Sequence, residues 1–244
     1  MPPVFAIDWL APKYLGWLWD GFVTTLEISA AALVTAMALG FALALAHEAR
    51  AAPLRRAISG YVFLFRNSPL LIQLMLLYFG VPMLLPQAWM EWLHAPHALD
   101  LAGVQVLRWP TFEFLAGWIG LTLYSAPYFG EEFRAGLLGV PQGQRAAAQA
   151  LGLPPFAAFY HVVWPQALRI ATPALFGQFM YLLKNSSLAM TIGVAELSYA
   201  ARQVDGETFK TFQAFGVATL FYVAAIALLE VALQAVLRYQ ARRR

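Results

Sequence analysis

Apolar and polar positions along the chain alternate in long and short blocks. Five apolar stretches run over Phe22–Ala46, Ile58–Leu85, Phe112–Gly130, Leu168–Val194 and Phe212–Leu237. Each is close to or above the roughly 20 residues that a helix needs to cross a ~30 Å hydrocarbon layer. Helix is the expected form, because lipid offers backbone N–H and C=O groups no partners. The pattern predicts an all-α integral membrane protein with five transmembrane helices. The second stretch carries Pro69 and Pro82, and the second and fourth are both interrupted by polar residues. The first is rich in Ala, Gly and Ser, which suit close helix packing.

Composition agrees: the chain is 61% hydrophobic and 12% charged, with mean hydropathy +0.61, against about half and a quarter in soluble domains. With no cysteine, disulfides and thiolate metal sites are excluded. The start, MPPVFAIDWLAPKY, lacks the basic-then-apolar layout of a cleaved signal peptide, so the first stretch is expected to remain as a span. The net charge of +3 is small; its placement says more. Arg50, Arg55, Arg56, Arg134, Arg145, Arg169, Arg238, Arg242, Arg243 and Arg244 gather at one set of span ends, against Lys13, Arg108, Arg202 and Lys210 at the other. The basic side is expected to be cytoplasmic, with the N-terminus outside and the C-terminus inside. Trp9, Trp17, Trp19, Trp89, Trp92 and Trp109 then form an aromatic belt at the outer ends. The layout is an outer segment over 1–21, a membrane domain over 22–237 with a cytoplasmic loop over 131–167, and a basic cytoplasmic tail over 238–244.

That loop contains GQRAAAQALGLPPFAAFYHVVWPQ, Gly143–Gln166. Gln144–Leu151 is alanine-rich and favours helix. Gly152 stops it as a C-cap glycine does, and Pro154 and Pro155 prevent continuation. A second helix is expected to rise from about Phe156. A short helix held at the membrane surface can dock into a groove on a soluble partner; a plain connector between spans fits the same residues.

The segment resembles the EAA loop of bacterial ABC-importer permeases: Glu-Ala-Ala, three residues, Gly, nine residues, an aliphatic, one residue, then Leu-Pro. Ala146, Ala147 and Ala148 take the first places, Gly152 follows at the right distance, and Val162, Val163, Trp164 and Pro165 close the pattern. Ala146 stands where the pattern has Glu and Trp164 where it has Leu. VPQGQRAAAQALGL and VVWPQALR, FRNSPLLIQLMLLYFGVP over Phe65–Pro82, and LLKNSSLAMTIGVAEL over Leu182–Leu197 are similar to the polar amino-acid uptake branch. YLGWLWDGFVTTLEIS, Tyr14–Ser29, is similar to glutamate/aspartate permeases.

The resemblance implies the type I ABC-importer permease fold and a periplasmic N-terminus. It implies a non-catalytic permease subunit, in the bacterial inner membrane, of a transporter importing amino acids, glutamate and aspartate first, with glutamine and histidine as alternatives. The implied ATPase-coupling positions are Gly143, Gln144, Ala146, Ala147, Ala148, Gly152 and Pro165. The implied partners are two copies of an ATP-binding subunit, which holds ATP and Mg, a second permease that is a paralogue rather than an identical copy, a periplasmic substrate-binding protein and the bilayer. No nucleic acid, metal or cofactor is expected on this chain.

Charged and polar residues inside spans are the remaining candidates. Each charge there costs about 2.5–3.5 kcal/mol on insertion scales. Arg66, with Asn67 and Ser68, either snorkels to the cytoplasmic interface or lines the substrate path. Gln73, one turn past Pro69, joins that group or makes a helix–helix bond. Lys184, with Asn185 and Ser186, either bonds backbone carbonyls or Glu196, or lines the path. Glu131 and Glu132 are expected to be solvated or paired with Arg134 and Arg145, and Glu27 to face the interface. His94 and His97, three apart, lack a third ligand. G-x-x-x-x-G-K-[ST], H-E-x-x-H and G-x-S-x-G are all absent, which argues against a membrane-embedded enzyme. A secondary transporter or channel needs its own ion site and commonly an inverted repeat, which the five stretches do not display.

Overall fold

The structure, a computed structural model, describes residues 9–47, 51–95, 98–101, 104–108 and 110–242. Arg50, His97, Trp109, Arg243 and Arg244 lie outside the described residues. Helix α1, Pro12–His47, runs for 36 residues, about 54 Å at 1.5 Å per residue. It takes in 12–21, which the hydropathy pattern assigns to the outer segment.

The second predicted stretch is not one helix. Helix α2, Ala52–Arg66, and helix α3, Leu70–Met75, which continues through a π-helical turn at Leu76–Gly80 and a 3₁₀ turn at Val81–Leu84, meet at a bend of 105°. Pro69 has no N–H and disfavours helical geometry at Ser68. Asn67 Nδ2 donates to Phe63 O at 2.7 Å, beside the Asn67 backbone N–H at 3.2 Å, and Ser68 Oγ donates to Leu64 O at 2.7 Å, so side chains cover the carbonyls at the end of α2. Helix α4, Gln87–His94, leads to a hairpin of β1, Ala98–Leu101, and β2, Val104–Arg108. It is antiparallel, with Leu101 opposite Val104. The hairpin is a local departure from the all-α expectation.

Helix α5, Phe112–Leu138, is N-capped by Thr111. It runs past Gly130, so Glu131 and Glu132 are helical and the following loop begins at Gly139 rather than at 131. Pro127 inside α5 has no N–H to give Leu123 O, and the Tyr61 hydroxyl donates to that carbonyl at 2.7 Å. The orphan that proline creates is thus filled from α2. Helices α6, Gln142–Ala150, and α7, Pro155–Ala158, follow. A π-helical turn at Phe159–Val163 feeds α8, Trp164–Asn185. The fourth predicted stretch does not stay α-helical to Val194: Ser186–Ile192 is a 3₁₀ segment, ended by Gly193 at φ 90°. Ser186, Ser187 and Thr191 hydroxyls each donate to the carbonyl three residues back, at 2.7 Å, which draws the chain into the tighter helix. Helices α9, Leu197–Thr208, and α10, Thr211–Ala241, complete the chain.

Helix α1 packs most extensively on α5. A Cβ at Gly40 would lie 2.8 Å from Ala126 O and Gly130 N, so the crossing exists only because the residue is glycine. Apart from Leu18 and Ile28, the buried face of α1 is built of small residues: Gly21, Thr25, Ser29, Ala32, Ala36, Gly40 and Ala44. Leu26, Val34 and Leu45 point outward. That is the arrangement expected of helices that face lipid. The main core joins Ile28, Leu74, Leu121, Phe129, Leu182 and Ile192. Helices α1 and α10 are each long and apolar enough to cross a membrane, and the bent α2/α3 pair makes a third such unit if its arms form one span.

Candidate functional site

Polar groups gather along α5, where it packs on α2 and on α8. Tyr124, Tyr128, Glu131 and Glu132 follow one another along α5 at near-helical spacing. Arg66, the last residue of α2, brings Nη1 to 3.9 Å from Glu131 Oε1, and its Cζ lies 5.2 Å from the Tyr128 ring centroid. The pair borders an open pocket of about 500 Å³ that His47, Ser59, Phe63 and Asn67 also line. Both charged side chains are 43% exposed, so the pair adds little stability, and both partners stay open to a ligand. A guanidinium suits a carboxylate, and a carboxylate beside it accepts from an ammonium. Glu132 accepts from Gln178 Nε2 at 3.0 Å, which joins α5 to α8. Beside this bond lies a groove of about 240 Å³ lined by Tyr124, Tyr128, Gln178, Tyr181 and Asn185.

The path candidates from the sequence separate in three dimensions. Arg66 and Asn67 reach the first pocket and Asn185 the groove. The Lys184 ammonium sits 5.4 Å over the Tyr181 ring and borders another groove, between α8 and α10, with Tyr222 and Glu230. Gln73 and Ser68 hold the bend: Gln73 Nε2 donates to Phe65 O at 3.0 Å and lies 2.8 Å from Ser68 Oγ. Ser186 is fully buried and donates to Leu183 O. Of the two alternatives for Glu131 and Glu132, solvation or pairing with Arg134 and Arg145, Glu131 keeps 43% side-chain exposure while meeting Arg66, Glu132 accepts from Gln178, and Arg145 donates to Leu137 O. Tyr128, Gln178 and Tyr181 went unread in the sequence; the recurrence of polar side chains every three or four residues inside an apolar stretch was the available signal.

Glu196, expected as one partner for Lys184, is wholly buried elsewhere. Its Oε2 accepts from the Tyr222 hydroxyl at 2.8 Å and its Oε1 from Tyr199 N at 2.9 Å. Thr25 Oγ1 stands 3.4 Å from Oε2 and accepts from Leu197 N at 3.1 Å. The carboxylate thereby ties α1, α9 and α10 together. Burial pushes this carboxyl above the ordinary carboxylate range, against four hydrogen bonds that lower it.

The loop between α5 and α8 has the predicted plan. Helix α6 ends at Ala150, and Gly152, just past its Leu151 cap, has φ 76°. Gly152 N donates to Gln149 O at 2.9 Å and Leu153 N to Ala148 O at 3.1 Å, closing the last turn. Ala148 is buried, while Gly143, Gln144, Ala146 and Ala147 are exposed. Gln166 Nε2 donates to Gln144 Oε1 at 3.4 Å, so glutamines from the two ends of the loop meet. Pro165 falls in the first turn of α8, where a missing N–H is tolerated. Trp164 packs on Phe41 with ring centroids 4.7 Å apart, which gives a tryptophan at that position a contact on α1. Leu151, Phe156 and Tyr160 form an exposed apolar ledge beside α6. Among the described residues, no group of three or more His, Asp or Glu is placed to hold a metal.

Residues 36–244 match the family described as the binding-protein-dependent transport system inner membrane component. The chain is 33% identical over 217 residues to the probable amino-acid ABC transporter permease protein PatM of Vibrio harveyi, covering 89% of this chain and 85% of that one. It is 34% identical over 215 residues to the glutamate/aspartate import permease protein GltJ of Escherichia coli K12, covering 86% and 81%. It is 33% identical over 204 residues to the probable glutamine ABC transporter permease protein GlnM of Bacillus subtilis, covering 84% of each. Among solved structures, an amino acid ABC transporter with histidines matches at TM-score 0.76 and 27% identity, over 93% of this chain and 95% of that one. An inward-facing MetNI methionine ABC transporter matches at TM-score 0.74 and 18% identity, over 94% and 99%, a likeness of fold. A five-stretch hydropathy pattern, a capped helix in the loop between α5 and α8 and these similarities over most of the chain have one reading: this chain belongs to the family of binding-protein-dependent transport system inner membrane components, the multi-pass, non-catalytic permease subunits of bacterial ABC transporters.

Proposed function

We propose that this permease carries amino acids inward, glutamate and aspartate first, through a path bordered by α2, α5 and α8. The observation that carries the reading is the Arg66–Glu131 pair on an open pocket. Side by side, a guanidinium and a carboxylate complement the carboxylate and ammonium that every α-amino acid presents, and the Tyr128 ring backs the guanidinium. Lys184 borders the separate groove between α8 and α10 and is a second polar station rather than part of the Arg66–Glu131 pocket. The relative named for glutamate/aspartate import supports this substrate pair.

The chain crosses the membrane five times in this reading, as α1, the bent α2/α3 unit, α5, α8 and α10. Helices α5 and α8, at 27 and 22 residues, are about 40 and 33 Å long, enough for a span. The N-terminus is periplasmic and the loop over 139–163 cytoplasmic. There α6, with Gly143, Gln144, Ala146, Ala147, Ala148 and Gly152, meets the ATPase, and Pro165 fixes the start of α8. A paralogous permease completes the path and a periplasmic binding protein delivers the substrate. Alternating access follows as the helices rock with ATPase closure.

Uptake of labelled glutamate into proteoliposomes holding the complete transporter, competed by unlabelled aspartate, glutamine, histidine and arginine, tests the substrate. Competition by aspartate alone is the expected result. Displacement by glutamine or histidine instead moves the assignment to that amino acid, and uptake without ATP sinks the importer reading.

A further inference from the structure

Besides its packing on α7 and on the Phe159–Val163 turn, helix α6 has three attachments to the two long helices that flank the loop. The residues Gly139–Pro141 join it to α5 covalently. Arg145 Nη2 donates to Leu137 O at 3.0 Å. Gln144 accepts from Gln166, on α8, at 3.4 Å. A peptide link alone leaves a short helix free to swivel; a second attachment to the same neighbour fixes its angle. Leu137 O is among the last four carbonyls of α5, which have no partner within the helix, and a cation suits that negative helix end. Glu131, six residues earlier on α5, pairs with Arg66 of α2, and Glu132 pairs with Gln178 of α8. Six residues of helix is about 9 Å. One rigid helix thus carries the strut to α6 at its end and the two cross-links to the path just before it.

We infer that Arg145 is a positioning residue: it makes α6 and α5 turn as one body, so that displacement of the cytoplasmic loop reaches the Arg66–Glu131 and Glu132–Gln178 contacts. This rests on the coupling role proposed for α6. In a structure whose expected Glu at 146 is alanine, the link from loop to path runs through the neighbouring arginine. A chain of contacts is not by itself coupling, so the test must separate movement at the two ends.

The chain has no cysteine, so a single thiol can be introduced into it and labelled on the purified chain before the transporter is assembled. Gln149 on α6 and Leu64 on α2 are both exposed, and only their backbone carbonyls, not their side chains, enter the contacts named above. Bimane is attached at Gln149→Cys or Leu64→Cys, the complete transporter is then assembled in proteoliposomes, and the bimane fluorescence is followed on addition of ATP and orthovanadate. With Arg145 present, both labels respond. In Arg145→Ala the Gln149 label keeps its response, and the Leu64 response falls at least about fivefold, the lower end of typical coupling losses. Arg145→Lys restores it, since the contact is a single N–H···O bond. An unchanged Leu64 response in Arg145→Ala overturns the inference. So does loss of both responses or of ATPase co-purification, which makes Arg145 a residue of assembly. If neither label responds in the unmodified transporter, the coupling role of α6 itself has failed.

Discussion

Glu131 and Arg66 lie 65 positions apart in sequence and 3.9 Å apart in space, and their proposed role is chemical rather than structural. Because the pair is half exposed, removing it changes stability by no more than about 1 kcal/mol. Losing a charge-assisted bond to substrate costs about 1.5–3 kcal/mol. Glu131→Gln and Arg66→Gln are therefore each expected to lower uptake about tenfold or more while leaving the amount of inserted protein unchanged; uptake kinetics against membrane abundance checks this. Lys184→Ala is expected to weaken uptake more than assembly, and equal kinetics would remove Lys184 from the path. Glu196 belongs to the opposite class. Its burial and its donors predict that Glu196→Ala lowers stability by about 1–3 kcal/mol, read as a lower unfolding midpoint in detergent. The sign with pH follows from the raised folded-state value. This group's contribution is complete below the unfolded carboxylate range and fades as pH rises through the raised value. Glu196→Gln is expected to flatten that slope, measured as unfolding midpoint against pH.

Elements show where local chemistry overrode hydropathy. Two apolar stretches that read as single spans are interrupted, each by hydroxyl or amide side chains turned back on their own backbone. Asn67, Ser68 and Gln73 build the bend at Pro69, and Ser186, Ser187 and Thr191 tighten the segment after α8. Both interruptions are visible in the sequence as polar clusters, but an average over a window hides them. The short helix of the loop was legible in full, because alanine, glycine and proline act through backbone geometry alone. Gly152 has open space around it, since a Cβ there would meet nothing within 4 Å, yet φ is 76°. Gly152→Val is thus expected to cost about 1–2 kcal/mol of local strain without a clash inside the chain. Uptake should fall while insertion holds, checked by transport and membrane abundance together; normal uptake would detach Gly152 from coupling.

At the scale of the whole molecule, the fold depends on close crossings that have no polar signature. Gly40→Leu is expected to prevent α1 from seating on α5, because backbone atoms at 2.8 Å cannot give way; a steep loss of folded protein in membranes, read by fluorescence-detected size exclusion, is the check. The amino-acid order alone was enough for the class of protein, the solvent its helices face, the positions of the apolar blocks and the capped helix between the third and fourth blocks. These follow from hydropathy, charge placement and backbone chemistry, all of which act within a few residues. Only the tertiary structure decided which polar residues meet. It joined Arg66 to Glu131 at a half-exposed pocket edge, and Glu132 to Gln178. It drew Glu196 away from Lys184 into a buried tie with Tyr222, and set Arg145 against the end of α5. The physical reason is that an apolar stretch specifies a helix but not its rotation or its neighbours. Those depend on the close packing of small residues from distant parts of the chain, and the partner of each buried polar group is settled only when that packing is complete.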